Sequence, residues 1–195
     1  MNNLSSEVDW PLKHDPADVD RLLRSCAALQ RRADGEQGVI AIRHIAAGST
    51  LIHGWHDAFY LGMAGWVALT VPEIDALPPG QRALFHRYGL DMDFGTIFGP
   101  LDVIHVTTLD NFINHSCEPN LGYDHHGNVV SRRSLAPGEE LLIDYGEFVV
   151  NYDEPFTCRC GANSCRTNVT RNDWHHLRSR RRLPPFIERR LERRA

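Results

Sequence analysis

Lysine is all but missing from this chain of 195 residues: Lys13 stands alone against twenty arginines, a bias for which high-GC coding is the plainest source. Long apolar runs are missing too, and none approaches the length of a membrane span. The first ten residues, Met1 to Trp10, hold no basic stretch leading into an apolar one, so no secretory signal is expected. Cysteine is sparse. There are five, and three of them fall between Cys158 and Cys165. That clustering excludes a spread disulfide framework, and the expectation is an intracellular protein, cytoplasmic or nuclear.

Charge is present but unevenly spread. Residues 166–195 carry ten arginines against Asp173, Glu188 and Glu192, a net of +7. The rest carries eleven bases against twenty-two acids, a net of −11. An acidic body steers a basic peptide, although it also serves plain solubility. The arginine-rich end can contact nucleic acid or a partner, but a solvated tail is the simpler reading.

The length and a hydrophobic fraction of 42% fit one domain with terminal extensions. Asp15-Pro16 reads as a helix start, and Val19, Leu22, Leu23 and Cys26 follow at helical spacing, so a short amphipathic helix is expected to about Cys26. Cys26 lies on its apolar stripe as a small hydrophobe. Strands are expected at Ala28–Arg32, Val39–Ile45 and Ser49–His53, with a turn at Asp34–Gly38. Residues 71–80 read as a loop or broken turn and Gln81–Tyr88 as a short helix. Thr96–Phe98 and Leu101–Val106 read as a hairpin. Asn128–Arg133 and Glu140–Tyr145 read as further strands. Residues 168–174 read as an irregular link, and Arg178–Pro185 cannot be one continuous helix. Many short strands broken by Gly, Pro and Asn turns argue for a mainly β (α+β) domain with short helices.

Three stretches carry chemistry. Thr108-Leu-Asp-Asn-Phe-Ile113 is an apolar approach to Asn114-His-Ser-Cys-Glu-Pro-Asn120, where polar groups and a lone thiol precede a turn fixed by proline. Leu141-Leu-Ile-Asp-Tyr-Gly146 follows, and then Cys158-Arg-Cys-Gly-Ala-Asn-Ser-Cys165. In order and spacing these resemble the SET-domain protein lysine methyltransferases with a Cys-rich post-SET tail. The likeness runs from about Ala28 to about Trp174.

The resemblance implies a SET-domain β-clip in which the Asn114 and Tyr145 segments cross in a knot-like way. It implies an N-terminal extension over 1–27, a SET domain over 28–150 with a variable insert at about 57–100, a zinc-binding post-SET motif over 151–167 and the arginine-rich tail over 168–195. Within the insert, Trp55, Tyr60, Phe85 and Tyr88 are candidate groove aromatics, though core roles suit each. Three clustered thiols want a fourth for tetrahedral zinc, and the family supplies it from the position of Cys117. Cys117, Cys158, Cys160 and Cys165 are therefore expected to hold a structural Zn2+.

The implied cofactor is S-adenosylmethionine. Gly35, Gln37 and Gly38 match a turn that passes over it, spaced Gly-x-x-Gly where the family more often has Gly-x-Gly. Asn114, the His115 backbone, Tyr145 and Phe148 complete the expected cofactor site. Tyr145 matches the catalytic tyrosine. Tyr123 matches a channel tyrosine found in some members, and Ile143 a position where Phe or Tyr often limits product number. Isoleucine there predicts room for more than one methyl group. The family's Cys-Arg-Gly is Cys165-Arg-Thr167 here. The expected activity is methyl transfer to the ε-amine of a lysine in a protein, histone or otherwise, and the scarcity of lysine would spare such an enzyme from itself. The alternative is a non-catalytic zinc-containing scaffold or binding module.

Overall fold

The computed structural model describes residues 19–32, 35–53, 65–93, 95–149, 151, 156–179, 183 and 185–192. Helix α1 (Val19–Cys26) leads into strand β1 (Ala27–Arg31), which turns back into β2 (Gln37–Ala41), and β3 (Thr50–Ile52) follows. The stretch expected as an insert contains β4 (Trp66–Thr70), α2 (Val71–Asp75), α3 (Pro79–Tyr88), β5 (Leu90–Asp93) and β6 (Thr96–Pro100). Then come β7 (Asn114–His115), β8 (Leu121–Tyr123), β9 (Val129–Ser131) and β10 (Leu142–Ile143). The chain ends with β11 (Phe156–Thr157), β12 (Asn168–Val169), α4 (Asp173–Ser179) and α5 (Pro185–Glu192).

These strands form several small sheets, ordered β1-β2, β3-β9-β8 and β4-β6-β5, with the pairs β10-β7 and β11-β12. Strands β2, β3, β8 and β9 turn side chains into the main core. Leu23, Val39, Leu51, Leu121, Leu135 and Leu141 lie at its centre. A second core of Ile74, Phe85 and Ile97 belongs to the insert. A third, of Leu177, Leu183 and Ile187, belongs to the C-terminal helices. None of the described helices is long and apolar enough to cross a membrane.

The pairing that builds the site is β7 with β10. They run parallel, Asn114 opposite Leu142 and His115 opposite Ile143. The buried Asn120 locks the approach: its Nδ2 donates to the Glu140 carbonyl at 2.7 Å and its Oδ1 accepts from the Leu142 amide at 2.8 Å. One side-chain amide thus stands in for a strand neighbour.

Several local expectations are corrected. Leu101–Val106 is not a hairpin arm. Asp102 accepts the Ile104 amide at 3.0 Å and winds Val103–His105 into a 3-10 turn. Strand β6 pairs instead with β4 on one side and β5 on the other. Residues 71–80 are not simply a loop. Pro72 and Pro79 sit in first helical turns, where no N–H is required, and Glu73 accepts the Thr70 amide at 2.7 Å to start α2. Strand β2 stops at Ala41, with Ile45 bridging Leu135, and Tyr145–Glu147 is a 3-10 turn beyond β10. Residues 168–174 include β12 and the start of α4, so they are not a mere link. Nor is the C-terminal tail simply solvated: Leu177 and Ile187 are wholly buried against Tyr123, Trp174 and Leu191. Asp15-Pro16, Trp55 and Tyr60 lie outside the described residues.

Candidate active site

Tyr145 occupies the turn after β10. Its hydroxyl donates to the Ile113 carbonyl at 2.9 Å, and its backbone N–H donates to Nδ1 of His115 at 3.0 Å. Its ring packs on Phe148 and Phe156, with centroids 5.4 and 5.8 Å away. Burial, with the Glu140 carboxylate adding to it, raises the phenol to about 12, so it stays protonated at neutral pH.

The His115 ring is held neutral. Burial pushes its pKa down to about 4, outweighing the attraction of Asp144, whose Oδ1 lies 3.8 Å from Nδ1. With Nδ1 accepting from Tyr145, Nε2 carries the proton and donates to Sγ of Cys117 at 3.4 Å. One imidazole therefore joins the Tyr145 turn to the thiol cluster.

The sulfurs of Cys117, Cys158, Cys160 and Cys165 all lie within 4.8 Å of one another. Cys117 and Cys158 are 3.8 Å apart. Tetrahedral zinc with Zn–S bonds of about 2.3 Å places its sulfurs about 3.8 Å apart, so the cluster fits that ion. N–H donors point at the sulfurs in the manner of thiolate ligands: Arg166 to Cys117 at 3.4 Å and Thr167 to Cys165 at 3.4 Å. Glu118 closes the loop onto the tail by accepting from the Ser164 hydroxyl at 2.8 Å. Thr167, which replaces the family's glycine, takes a left-handed φ of 66°.

On the other side of β7, the Asn114 amide donates to the Gln37 carbonyl and to Oε1 of Glu140, each at 2.8 Å. Its oxygen makes no hydrogen bond among the described residues. Gly38 is needed there for close approach, since a Cβ would fall 2.5 Å from Oε1 of Glu140 and 3.1 Å from Nδ2 of Asn114. Gly35 lies in the turn between β1 and β2. The bare backbone of 37–38 beside an amide, with an open acceptor, fits the amino-acid end of S-adenosylmethionine.

A cavity of about 370 Å³ opens beside Tyr145. Ile52, Ile113, Val129 and Ile143 give it apolar lining, Asp110 and Asn111 add polar groups, and Phe148 lies beside Tyr145. The insert supplies one wall through His86–Leu90, and the tail supplies another through Phe156 and Val169–Arg171. Tyr145, Phe148 and Ile143 are thus brought together there, and Tyr88 joins them from the insert. Tyr123 does not line this cavity; its ring packs between the main core and the C-terminal helices. Phe85 is wholly buried in the insert core. The sequence reading missed Phe156, whose only signal was an aromatic shortly before Cys158. It also missed Glu140 and Arg166, which adjoin recognised motifs.

The SET domain family model matches residues 36–146. The chain is 36% identical over 172 residues to Histone-lysine N-methyltransferase 2B of Homo sapiens, covering 83% of this chain and 6% of that protein. It is 35% identical over 88 residues to Histone-lysine N-methyltransferase ash1 of Drosophila melanogaster, covering 42% of this chain and 4% of that protein. The chain therefore spans only a small part of these relatives. A crystal structure of KRYPTONITE in complex with mCHH DNA, H3(1-15) peptide and SAH is similar at a TM-score of 0.46 and 21% identity, covering 73% of this chain and 29% of that one.

Proposed function

The chain belongs to the SET-domain family, and we propose that it methylates the ε-amine of a lysine in a protein. The observation that carries this is the cavity in which Tyr145, Ile143 and Phe148 meet, next to the Asn114 and His115 wall. Histones are the substrate class named for the relatives. The acidic body suits such basic tails, and a nuclear or other intracellular setting goes with that reading.

S-adenosylmethionine, when bound, supplies an electrophilic methyl group on a sulfonium. The Gln37–Gly38 backbone, Asn114, His115 and Phe148 are the residues that would hold it. Zinc would be held by the four cysteines, fixing the tail as a wall. With four thiolates around it the ion has no open position, so its part is structural.

The work left to the chain is to receive a lysine and orient it. A free lysine has a pKa near 10.4, roughly three units above neutrality. The apolar lining of Ile52, Val129 and Ile143 disfavours the ammonium form at that side of the cavity, while Asp110, which also lines it, would attract the incoming cation. The Tyr145 hydroxyl spends its proton on Ile113, so its oxygen is left to accept from the amine and to make weak C–H···O contacts. Alignment of this kind contributes several kcal/mol, up to roughly 7–11. Ile143 in the cavity lining supports more than one methyl addition, and the product-number reading rests on it rather than on Tyr123. A product that stays monomethylated by mass spectrometry at long reaction times would contradict it.

The test is incubation with labelled S-adenosylmethionine and a panel of histones and other lysine-rich proteins, beside Tyr145→Phe. Transfer to lysine is expected, with a loss of about a hundredfold in the variant. Cofactor binding without transfer to any protein favours the scaffold. No cofactor binding by the zinc-loaded protein overturns the proposal.

A further inference from the structure

Arg166 follows the last thiol of the cluster, and its side chain turns back toward Tyr145. Nη1 donates to Oδ2 of Asp144 at 2.8 Å and Nη2 to Oδ1 at 2.5 Å, a two-pronged pair with a carboxylate that has no exposed surface. Nε lies 2.7 Å from Oδ2 of Asp173, at the start of α4. Asp173 in turn accepts from the Thr170 hydroxyl at 2.8 Å. Oδ1 of Asp144 also accepts the Gly146 amide at 3.0 Å and so caps the turn that carries Tyr145. The backbone of Arg166 meanwhile donates to Sγ of Cys117. One residue thus touches the thiol cluster, the Tyr145 turn and the C-terminal helix. The junction is tight: a Cβ on Gly146 would lie 2.8 Å from Cβ of Asp173 and 3.2 Å from Nη2 of Arg166.

We infer that Arg166 is a positioning residue for Tyr145, coupling the order of the cysteine-rich tail and α4 to the placement of the Tyr145 hydroxyl. The His115 ring holds the Tyr145 amide on one side of the turn, and the Asp144–Arg166 pair holds the Gly146 amide on the other. Without the guanidinium, the fully buried Asp144 and the partly buried Asp173 both lose the cation they share. A buried carboxylate stripped of its cation is driven toward solvent, which opens the turn and weakens its grip on Gly146. A lysine at 166 keeps the charge but has no planar fork, so it cannot reproduce the two-pronged pair with Asp144.

The kinetic consequence rests on the methyl-transfer reading; the structural one does not. The experiment uses the full zinc-loaded chain labelled with 3-fluorotyrosine, with the Tyr145 fluorine resonance assigned by its loss in Tyr145→Phe. In Arg166→Gln the Tyr145 resonance is expected to move or broaden while that of Tyr88 stays, with zinc content unchanged. On the panel protein that the parent methylates, kcat is expected to fall at least about 30-fold with KM within about twofold, a split that general loosening would not give. Arg166→Lys should recover part of kcat, and Asp173→Asn should cost about threefold. An unmoved Tyr145 resonance in folded Arg166→Gln overturns the inference, as does a kcat within threefold of the parent. If Arg166→Gln fails to fold, the Arg166→Lys spectrum decides, and a Tyr145 resonance identical to the parent's overturns it. If the parent protein transfers no methyl group to any substrate, the functional reading fails, and the fluorine spectra alone judge the coupling.

Discussion

The insert and the cysteine-rich tail wall the same cavity from two sides but are held by different forces. The insert has its own apolar core, Phe85 of α3 and Ile97 of β6 being wholly buried. Its contribution of His86–Leu90 to the cavity rests on packing that is local in sequence. Among its described residues, the first part of the tail, up to Thr170, has two short strands and three thiols, and it is tied down by Arg166, Glu118 and the cluster those thiols make with Cys117. Val169 is its one wholly apolar side chain buried against the cysteines, and the larger apolar anchor of Leu177, Leu183 and Ile187 comes beyond Asp173. The lesson is that one wall stands chiefly on an apolar core and a strand ladder of its own, whereas the other depends on the thiol cluster and on a buried charge pair. Buried charge pairs lose most when one partner is removed, by roughly 3–5 kcal/mol, which makes this wall conditional.

The largest expected effect is zinc removal. A chelator should cost transfer at least about a hundredfold and open residues 156–171 to proteolysis, while 65–101 stays protected. Simultaneous opening of both regions would break the contrast. Next come the two apolar anchors. Phe85→Ala should destabilise the chain by about 3–5 kcal/mol in denaturant unfolding and leave zinc content unchanged. Leu177→Ala should cost about 2–4 kcal/mol and speed zinc loss to a chelator, because α4 is what backs the tail.

Tyr145 lies between the walls and gives a pH test. Its pKa is raised in the folded protein to about 12, against about 10 in an unfolded chain. Its contribution to stability is therefore complete below about pH 10 and is lost as pH climbs through 12, where the buried phenol finally ionises. Ultraviolet titration should show a late tyrosine that disappears in Tyr145→Phe. An ordinary midpoint for that tyrosine would mean the site is wetter than its packing implies. The smallest effect is at Thr167, where a β-branched residue sits at φ 66°. Thr167→Gly should raise stability by about 1 kcal/mol in thermal unfolding, and a loss instead would mean the threonine side chain anchors the tail.

The sequence by itself determined the family, the four thiols, the Asn114–His115 pair and Tyr145. Each lies in a short motif where neighbouring residues reinforce one another, and the order of the motifs along the chain is itself information. It also marked many of the strands, because alternation and turn residues are local signals. Only the tertiary structure decided which side chains surround the cavity and what holds them. Phe156 becomes a wall, and Tyr123 packs against the C-terminal helices rather than lining the cavity. Of ten arginines in the last thirty residues, Arg166 meets a carboxylate with no exposed surface. Sequence could not single it out, because an ion pair between residues 144 and 166 leaves no periodicity in the chain. It exists only where folding brings two distant segments into a dry space, and there the cost of burying one charge selects its partner.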